Sequence, residues 1–277
     1  MNDTIEIKGM KKTFGSFTLG PIDLEIHKGA ITLLSGPNNS GKTTLLKCIC
    51  GQYIAETKTS ETDCLSHLTK GLVFDECPFP EKHRIKELAQ LLSRLYPDWD
   101  GRRFSELCVK FQLNKEKRIG DLSKGSRMKL QVAVCLSHSV DLLILDEYSS
   151  GLDEQSKTTV IKEIKEYLND SRAIVIATHD TSNIHQYADY IVLMKDGKVV
   201  IDMDIPSLQD TFGIVRASEL DSACIKEHVV AYQNNGYGRS YLVRNKRKIQ
   251  EDDENIKIET SSVQDILSFL SGGAADE

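Results

Sequence analysis

The sequence has no long hydrophobic run. Its most apolar stretches, such as residues 31–34 and 142–145, have the length of buried strands and fall far short of the roughly 18 residues of a membrane-crossing helix. The N-terminus carries Asp3 and no apolar segment of the kind a secretory signal needs. The seven cysteines are scattered, with no CxxC pair and no His/Cys spacing suited to a metal, so a reduced, cytoplasmic chain is expected. There is no excess of basic residues. Lys and Arg number 35 against 41 Asp and Glu, a net charge of −6, which argues against bulk nucleic-acid binding through phosphate contacts. Internal repeats, heptad runs and low-complexity linkers are also missing. With 40% hydrophobic and 27% charged residues among 277, what remains is an ordinary globular chain, not a disordered one.

The pattern along the chain alternates strand and helix. Residues 4–10 and 22–26 read as strands, and 30–35 is an apolar strand that runs into a Gly-rich turn. Helix is expected over 43–50 and a short strand over 72–74. A helical stretch follows: Ile85, Leu88, Ala89, Leu92 and Leu95 share one face before Pro97 ends it. Phe104, Leu107, Cys108 and Phe111 form a second stripe, and 128–136 a third helix. Strands return at 142–145 and 173–177, with helix over 158–168 and 184–188. Asp196-Gly197 marks a hairpin between 190–195 and 198–201. After about residue 204 the reading is a short helix opened by Pro206, strands over 229–233 and 241–243, a solvated charged loop over 246–254, and an amphipathic helix built on Val263, Ile266, Leu267 and Leu270.

Two segments carry chemistry. Gly36-Pro37-Asn38-Asn39-Ser40-Gly41-Lys42-Thr43-Thr44 fits G-x-x-x-x-G-K-[ST] and lies between a strand and a helix, as a phosphate-binding loop must. Backbone N–H groups of such a loop converge on anionic oxygens, and the helix N-terminus adds positive potential. Lys42 can reach the β- and γ-phosphates and the Thr43 hydroxyl can ligate Mg²⁺. The second segment is the apolar strand that ends in Asp146-Glu147. Asp146 suits the Mg²⁺ shell, and Glu147 can polarise an attacking water. His179 follows another apolar strand, at the sheet edge where ligands of open α/β sheets bind, and could hydrogen-bond the γ-phosphate or the water.

The order of motifs then becomes informative: Leu122-Ser123-Lys124-Gly125-Ser126, Asp146-Glu147, Ser150-Gly151-Leu152-Asp153 and His179. Over residues 4 to about 204 this resembles the ATP-binding subunits of ABC transporters, with their serine-glycine signature, acidic strand, D-loop and switch histidine. The resemblance implies an α/β fold of the P-loop NTPase, ABC-type ATPase class, with a mixed sheet core, a helical subdomain over about 77–138 and a small C-terminal α/β appendage over 205–277. Tyr96-Pro97-Asp98-Trp99-Asp100 and the Leu-Ser-Lys-Gly form of the signature look like the bacterial bacitracin- and lantibiotic-export subgroup. By the same resemblance Phe14 stacks on adenine or is a core Phe, Ser123 and Gly125 contact the γ-phosphate held by a second subunit, and Asp153 lies at the dimer seam while also suiting a helix N-cap. Trp99 reads as core packing in a lobe that otherwise docks a membrane partner. Four positions depart from the family pattern. Lys124 stands for a signature glycine, Ser126 for the signature glutamine, Tyr148 for a proline, and Asp75 or Glu76 for the glutamine that reads γ-phosphate and magnesium, which makes Asp75 a candidate metal residue.

The implied function is an ATPase with ATP and Mg²⁺ as cofactors, energising a transmembrane permease, an exporter by the subgroup resemblance, through an ATP-sandwich dimer with a second ATP-binding subunit. The expected location is the cytoplasm, peripheral on the inner face of the membrane. A soluble ABC-type ATPase of DNA repair or translation is the alternative, although no coiled coil, duplicated cassette or basic face is visible. A GTPase switch would need N-K-x-D, and Asn114-Lys115-Glu116-Lys117 lacks its Asp. The appendage is expected to regulate or dimerise the ATPase.

Overall fold

The computed structural model describes residues 3–56, 65–178, 185–217, 223–235, 238–252 and 256–272. Its centre is a six-stranded mixed sheet made of β3 (Ile31–Ser35), β4 (Lys70–Val73), β5 (Leu142–Asp146), β6 (Ala173–Ala177), β7 (Tyr190–Lys195) and β8 (Lys198–Asp204), in the order β4-β5-β6-β3-β7-β8. All pairs are parallel except β7 with β8. That hairpin turns at Asp196 and Gly197, both at positive φ, as an Asp-Gly two-residue turn demands. A separate antiparallel ribbon pairs β1 (Thr4–Phe14) with β2 (Phe17–His27).

Strands β3, β5 and β6 are buried at every residue, which is why they read as near-continuous apolar runs. Period-2 alternation still sorts their side chains. Leu33, Leu143, Leu145, Ile174 and Ile176 join one apolar cluster. Leu34, Leu142, Ile144 and Val175 join another. The second cluster is roofed by α1 (Lys42–Ile49) and the β1–β2 ribbon. The first is covered by the helical lobe, comprising α2 (Ile85–Leu95), α3 (Gly101–Lys110) and α4 (Lys124–Cys135), and by α5 (Glu154–Tyr167). Trp99 packs against this cluster, with its ring 5.2 Å from Phe104.

Beyond β8 come α6 (Ile205–Thr211), β9 (Phe212–Ala217), α7 (Ala223–Lys226), β10 (Val229–Asn235), β11 (Gly238–Arg244), α8 (Lys246–Asp252), β12 (Glu259–Thr260) and α9 (Val263–Gly272). The four strands form an antiparallel sheet of order β10-β11-β9-β12. Phe212, Ile214, Leu242, Ile266 and Phe269 belong to the same cluster as the helical lobe, while Val215, Tyr241, Val243 and Ile249 fill a small one of their own. Two expectations are corrected. The charged stretch 246–254 is not a solvated loop: residues 246–252 form α8, anchored by fully buried Ile249. The helix expected over 184–188 is a single 3-10 turn, His185–Tyr187, among the described residues. Strand β9, unassigned from the sequence, is the inner strand between β11 and β12. Among the described residues no helix is long and apolar enough to cross a membrane.

Candidate nucleotide site

The parallel strands point their C-terminal ends at one edge, and two of them deliver the site. The chain leaves β3 at Ser35 and enters the loop 36–41, with Gly36 at φ 145°, Asn39 at φ 64° and Gly41 at φ 104°. Gly36 has no room for a side chain: a Cβ there would lie 2.2 Å from the Met194 carbonyl oxygen at the end of β7. The loop thus lies tight against the sheet and opens directly into α1. Lys42 is buried, and its ammonium donates to the Gly36 and Pro37 carbonyls at 2.8 and 3.1 Å. Burial lowers its pKa, while the Glu147 and Asp146 carboxylates pull the other way. An open cavity of about 780 Å³ is lined by Phe17, Asn38, Asn39, Ser40, Gly41, Lys42, Thr43, Thr44 and Glu147.

Strand β5 brings the carboxylates to this cavity. Asp146, its last residue, pairs with Ala177 of β6 and accepts a 2.7 Å hydrogen bond from the Thr43 hydroxyl. Its other oxygen, Oδ1, is buried without a hydrogen-bond partner among the described residues, as is Ser40 Oγ. Burial is the main cause that raises the Asp146 pKa, opposed by the Thr43 hydrogen bond. An orphaned carboxylate oxygen beside a hydroxyl is a hard-oxygen donor set, and it fits Mg²⁺, which binds through one or two protein ligands plus phosphate and water. Among the described residues no three His, Cys, Asp or Glu side chains cluster in a way that could hold a metal alone. Glu147 follows at φ 51°, a left-handed conformation that a non-glycine residue adopts only at about 1–3 kcal/mol. Its amide donates to the Ala177 carbonyl, and the Thr178 hydroxyl donates to its Oε2 at 3.3 Å. The turned backbone thereby holds the carboxylate at the cavity wall.

The 122–126 segment sits elsewhere, at the start of α4. Ser123 is the N-cap, accepting from the Ser126 amide at 3.2 Å. Gly125 faces the Gly151 carbonyl so closely that a Cβ would come within 2.3 Å of its oxygen, so the 122–126 segment and the 149–152 turn are packed backbone to backbone. That turn hydrogen-bonds back to Glu147 through the Ser150 amide.

Residues 19–150 match the family model described as ABC transporter. The ABC transporter ATP-binding protein YtrB of Bacillus subtilis is 26% identical over 217 residues, covering 75% of this chain and 74% of that protein. Among solved structures, an ATP-binding subunit of an ABC transporter superposes with a TM-score of 0.64 at 19% identity, covering 74% of this chain and 91% of that one. A dimeric ATP-binding cassette in a post-hydrolysis state, bound to ADP and phosphate, gives 0.60 at 20% identity over 72% and 97%. Residues 19–150 belong to an ABC transporter ATP-binding domain. The activity of such a domain is ATP hydrolysis.

Within the ABC domain, Lys42, Thr43, Thr44, Asn38, Asn39, Ser40, Gly41 and Glu147 line one cavity, and Asp146 is bonded to Thr43 beneath it. Gly36 and Pro37 serve through the carbonyls that hold Lys42. His179 lies outside the described residues. Two candidates do not line the cavity. The aromatic lining the cavity is Phe17, whereas Phe14 packs edge-on against Tyr53 with centroids 5.2 Å apart and is 40% exposed. Asp75 does not line the cavity, and its carboxylate pairs with the Lys124 ammonium at 2.5 Å. Asp153 caps α5, accepting from the Ser156 amide at 2.7 Å, which lowers its pKa. Gln131 was missed altogether. It is buried on α4 and clamps Phe74 from both sides, its amide donating to the Phe74 carbonyl and its carbonyl accepting from the Phe74 amide. A polar residue midway along an otherwise apolar helix face was the only signal for it.

Proposed function

We propose that this ATPase is the subunit that energises a membrane transporter, acting as half of an ATP sandwich formed with a second ATP-binding subunit. The observation that carries the catalytic reading is the convergence of the phosphate loop, Thr43, Asp146 and Glu147 on one cavity at the sheet edge. In this reading the loop amides and Lys42 bind the β- and γ-phosphates. Thr43 and Asp146 would hold Mg²⁺, which when bound supplies positive charge against the phosphate oxygens. Glu147 accepts a hydrogen bond from the attacking water and takes its proton as the γ-phosphorus bond to the bridging oxygen breaks, with His179 assisting. Phe14, 40% exposed at the end of β1, is proposed to stack on adenine, and Phe17 is a second aromatic at the cavity wall.

In the sandwich, the Ser123–Ser126 cap of one subunit faces the γ-phosphate of the other, and Asp153 lies at the seam. Closure and opening would drive a transmembrane permease docked on the helical lobe, where Leu91 and Leu95 are exposed one turn apart on α2. The working location is then the inner face of the membrane. Export is the direction proposed, supported by the likeness of Tyr96–Asp100 and Leu122–Gly125 to the bacitracin- and lantibiotic-export subgroup. The test is Glu147→Gln. ATP binding should persist while turnover falls by about a hundredfold or more. Turnover at the parent rate would overturn the role of Glu147.

A further inference from the structure

Two of the departures from the family pattern meet in space. Lys124, where by the resemblance a signature glycine is usual, forms a 2.5 Å ion pair with Asp75, one of the two acids where the γ-phosphate-reading glutamine is usual. The pair does not belong to the hydrophobic architecture: the two side chains are 53% and 61% exposed, and exposed pairs contribute only about 0.2–1 kcal/mol to stability. Helix electrostatics do not favour it either. Lys124 is the first residue of α4, where a cation opposes the helix dipole. The position suits a lysine only if an anion is nearby, and Asp75 is one such anion.

The base of the lysine side chain rests against a neighbouring turn. A Cβ placed at Gly151 would lie 3.4 Å from Lys124 Cβ and Cγ, so the stem lies against the 149–152 turn. The backbone that leads into Asp75 is held from the other side. It follows Phe74, whose backbone is clamped twice by Gln131 of the same helix, and Cys135 reaches the Leu72 carbonyl one turn further on. Helix α4 and the end of β4 thus form a stitched unit with one exchangeable, solvent-facing contact at its tip.

We propose that Lys124 is an additional γ-phosphate ligand, and that Asp75 is its intramolecular competitor. Asp75 holds the ammonium within its own subunit until the γ-phosphate of the nucleotide on the opposing subunit takes the carboxylate's place. This rests on the sandwich reading above. The direction of exchange follows from charge. A terminal phosphate bears close to two negative charges against one on Asp75, and the N-terminal dipole of α4 adds to its attraction. The ion pair therefore sets the ATP threshold for dimer closure, and discriminates against nucleotides that lack a γ-phosphate.

The test uses the full-length chain carrying Glu147→Gln, titrated with Mg-ATP or Mg-ADP while dimerisation is followed by sedimentation. Adding Lys124→Gln should raise the ATP needed for half-maximal dimer about tenfold or more, the loss of a charge-assisted contact. Adding Asp75→Asn should lower it about twofold to fivefold, the release of an exposed competitor. The double exchange Lys124→Asp with Asp75→Lys rebuilds an intramolecular pair but puts a carboxylate at the tip of α4, where it repels phosphate, so it should be at least as impaired as Lys124→Gln. Far-UV circular dichroism and the urea-unfolding midpoint of each variant, matched to the parent, report that each is folded. An exchanged pair that dimerises like the parent, or an Asp75→Asn variant that needs more ATP, would overturn the proposal and leave the sandwich intact. A Glu147→Gln parent that binds ATP and stays monomeric would overturn the sandwich, and this proposal with it.

Discussion

Two acid–base contacts between the helical lobe and the rest of the molecule are built on opposite terms. At one, Glu163 of α5 is buried, with its carboxylate 6% exposed, and is met by Arg103 at 2.8 Å and by Lys110, both on α3. Every partner is supplied within the fold, so the joint is fixed. At the other, Lys124 and Asp75 face solvent at the edge that also carries the phosphate loop and the β5 carboxylates. This edge contains the left-handed Asn39 and Glu147, the orphaned Asp146 Oδ1 and Ser40 Oγ, and a lysine buried against its charge. The difference separates two jobs. The joint is optimised for the folded chain alone, whereas the edge is incomplete without a charged ligand.

Substitutions can break this contrast, and the largest effect is expected at the joint. Glu163→Ala leaves a partly buried Arg103 without its partner and should cost about 3 kcal/mol of stability, read as a lowered midpoint in urea unfolding. At the edge the sign should reverse. Glu147→Gly removes the left-handed strain that Glu147→Ala retains, so the glycine variant should be the more stable of the two by about 1 kcal/mol. A smaller effect is expected at the exposed contact. Asp75→Asn should shift unfolding by under about 1 kcal/mol, while still moving the ATP dependence of dimerisation. A destabilisation at Asp75 as large as that at Glu163 would erase the distinction between the two contacts.

The sequence made the edge legible, because its chemistry depends on residues adjacent in the chain. A loop of fixed spacing after an apolar strand, and a strand that ends in Asp146-Glu147, carry their own meaning. Contacts between distant segments were opaque for the same reason. Nothing local joins Asp75 to Lys124, Gln131 to Phe74, or Gly125 to Gly151; only the fold brings them together. Phe14 and Phe17 flank the same ribbon turn, and composition could not decide which faces the cavity. In the C-terminal region, α8 was obscured because Ile249 is the one apolar residue in a charged stretch. Strand β9 was obscured because its short apolar run follows directly on a helix and pairs with strands much later in the chain.

Asp146 gives the most direct measurement. Burial raises its pKa above the ordinary 3.8, so the native carboxyl keeps its proton to a higher pH than the unfolded chain does. The native state binds more protons in that window, and stability must fall as pH rises from 3.8 through the native pKa. The charge that results is the one the metal site needs. Thermal unfolding of Asp146→Asn beside the parent, each assayed for Mg-ATP hydrolysis, therefore decides the account. At pH 7 the variant should be more stable by about 1–2 kcal/mol, should lack the acid-side slope, and should be inactive. A variant that is less stable than the parent at pH 7 would contradict the claim that this edge is built for its ligand at the expense of the fold.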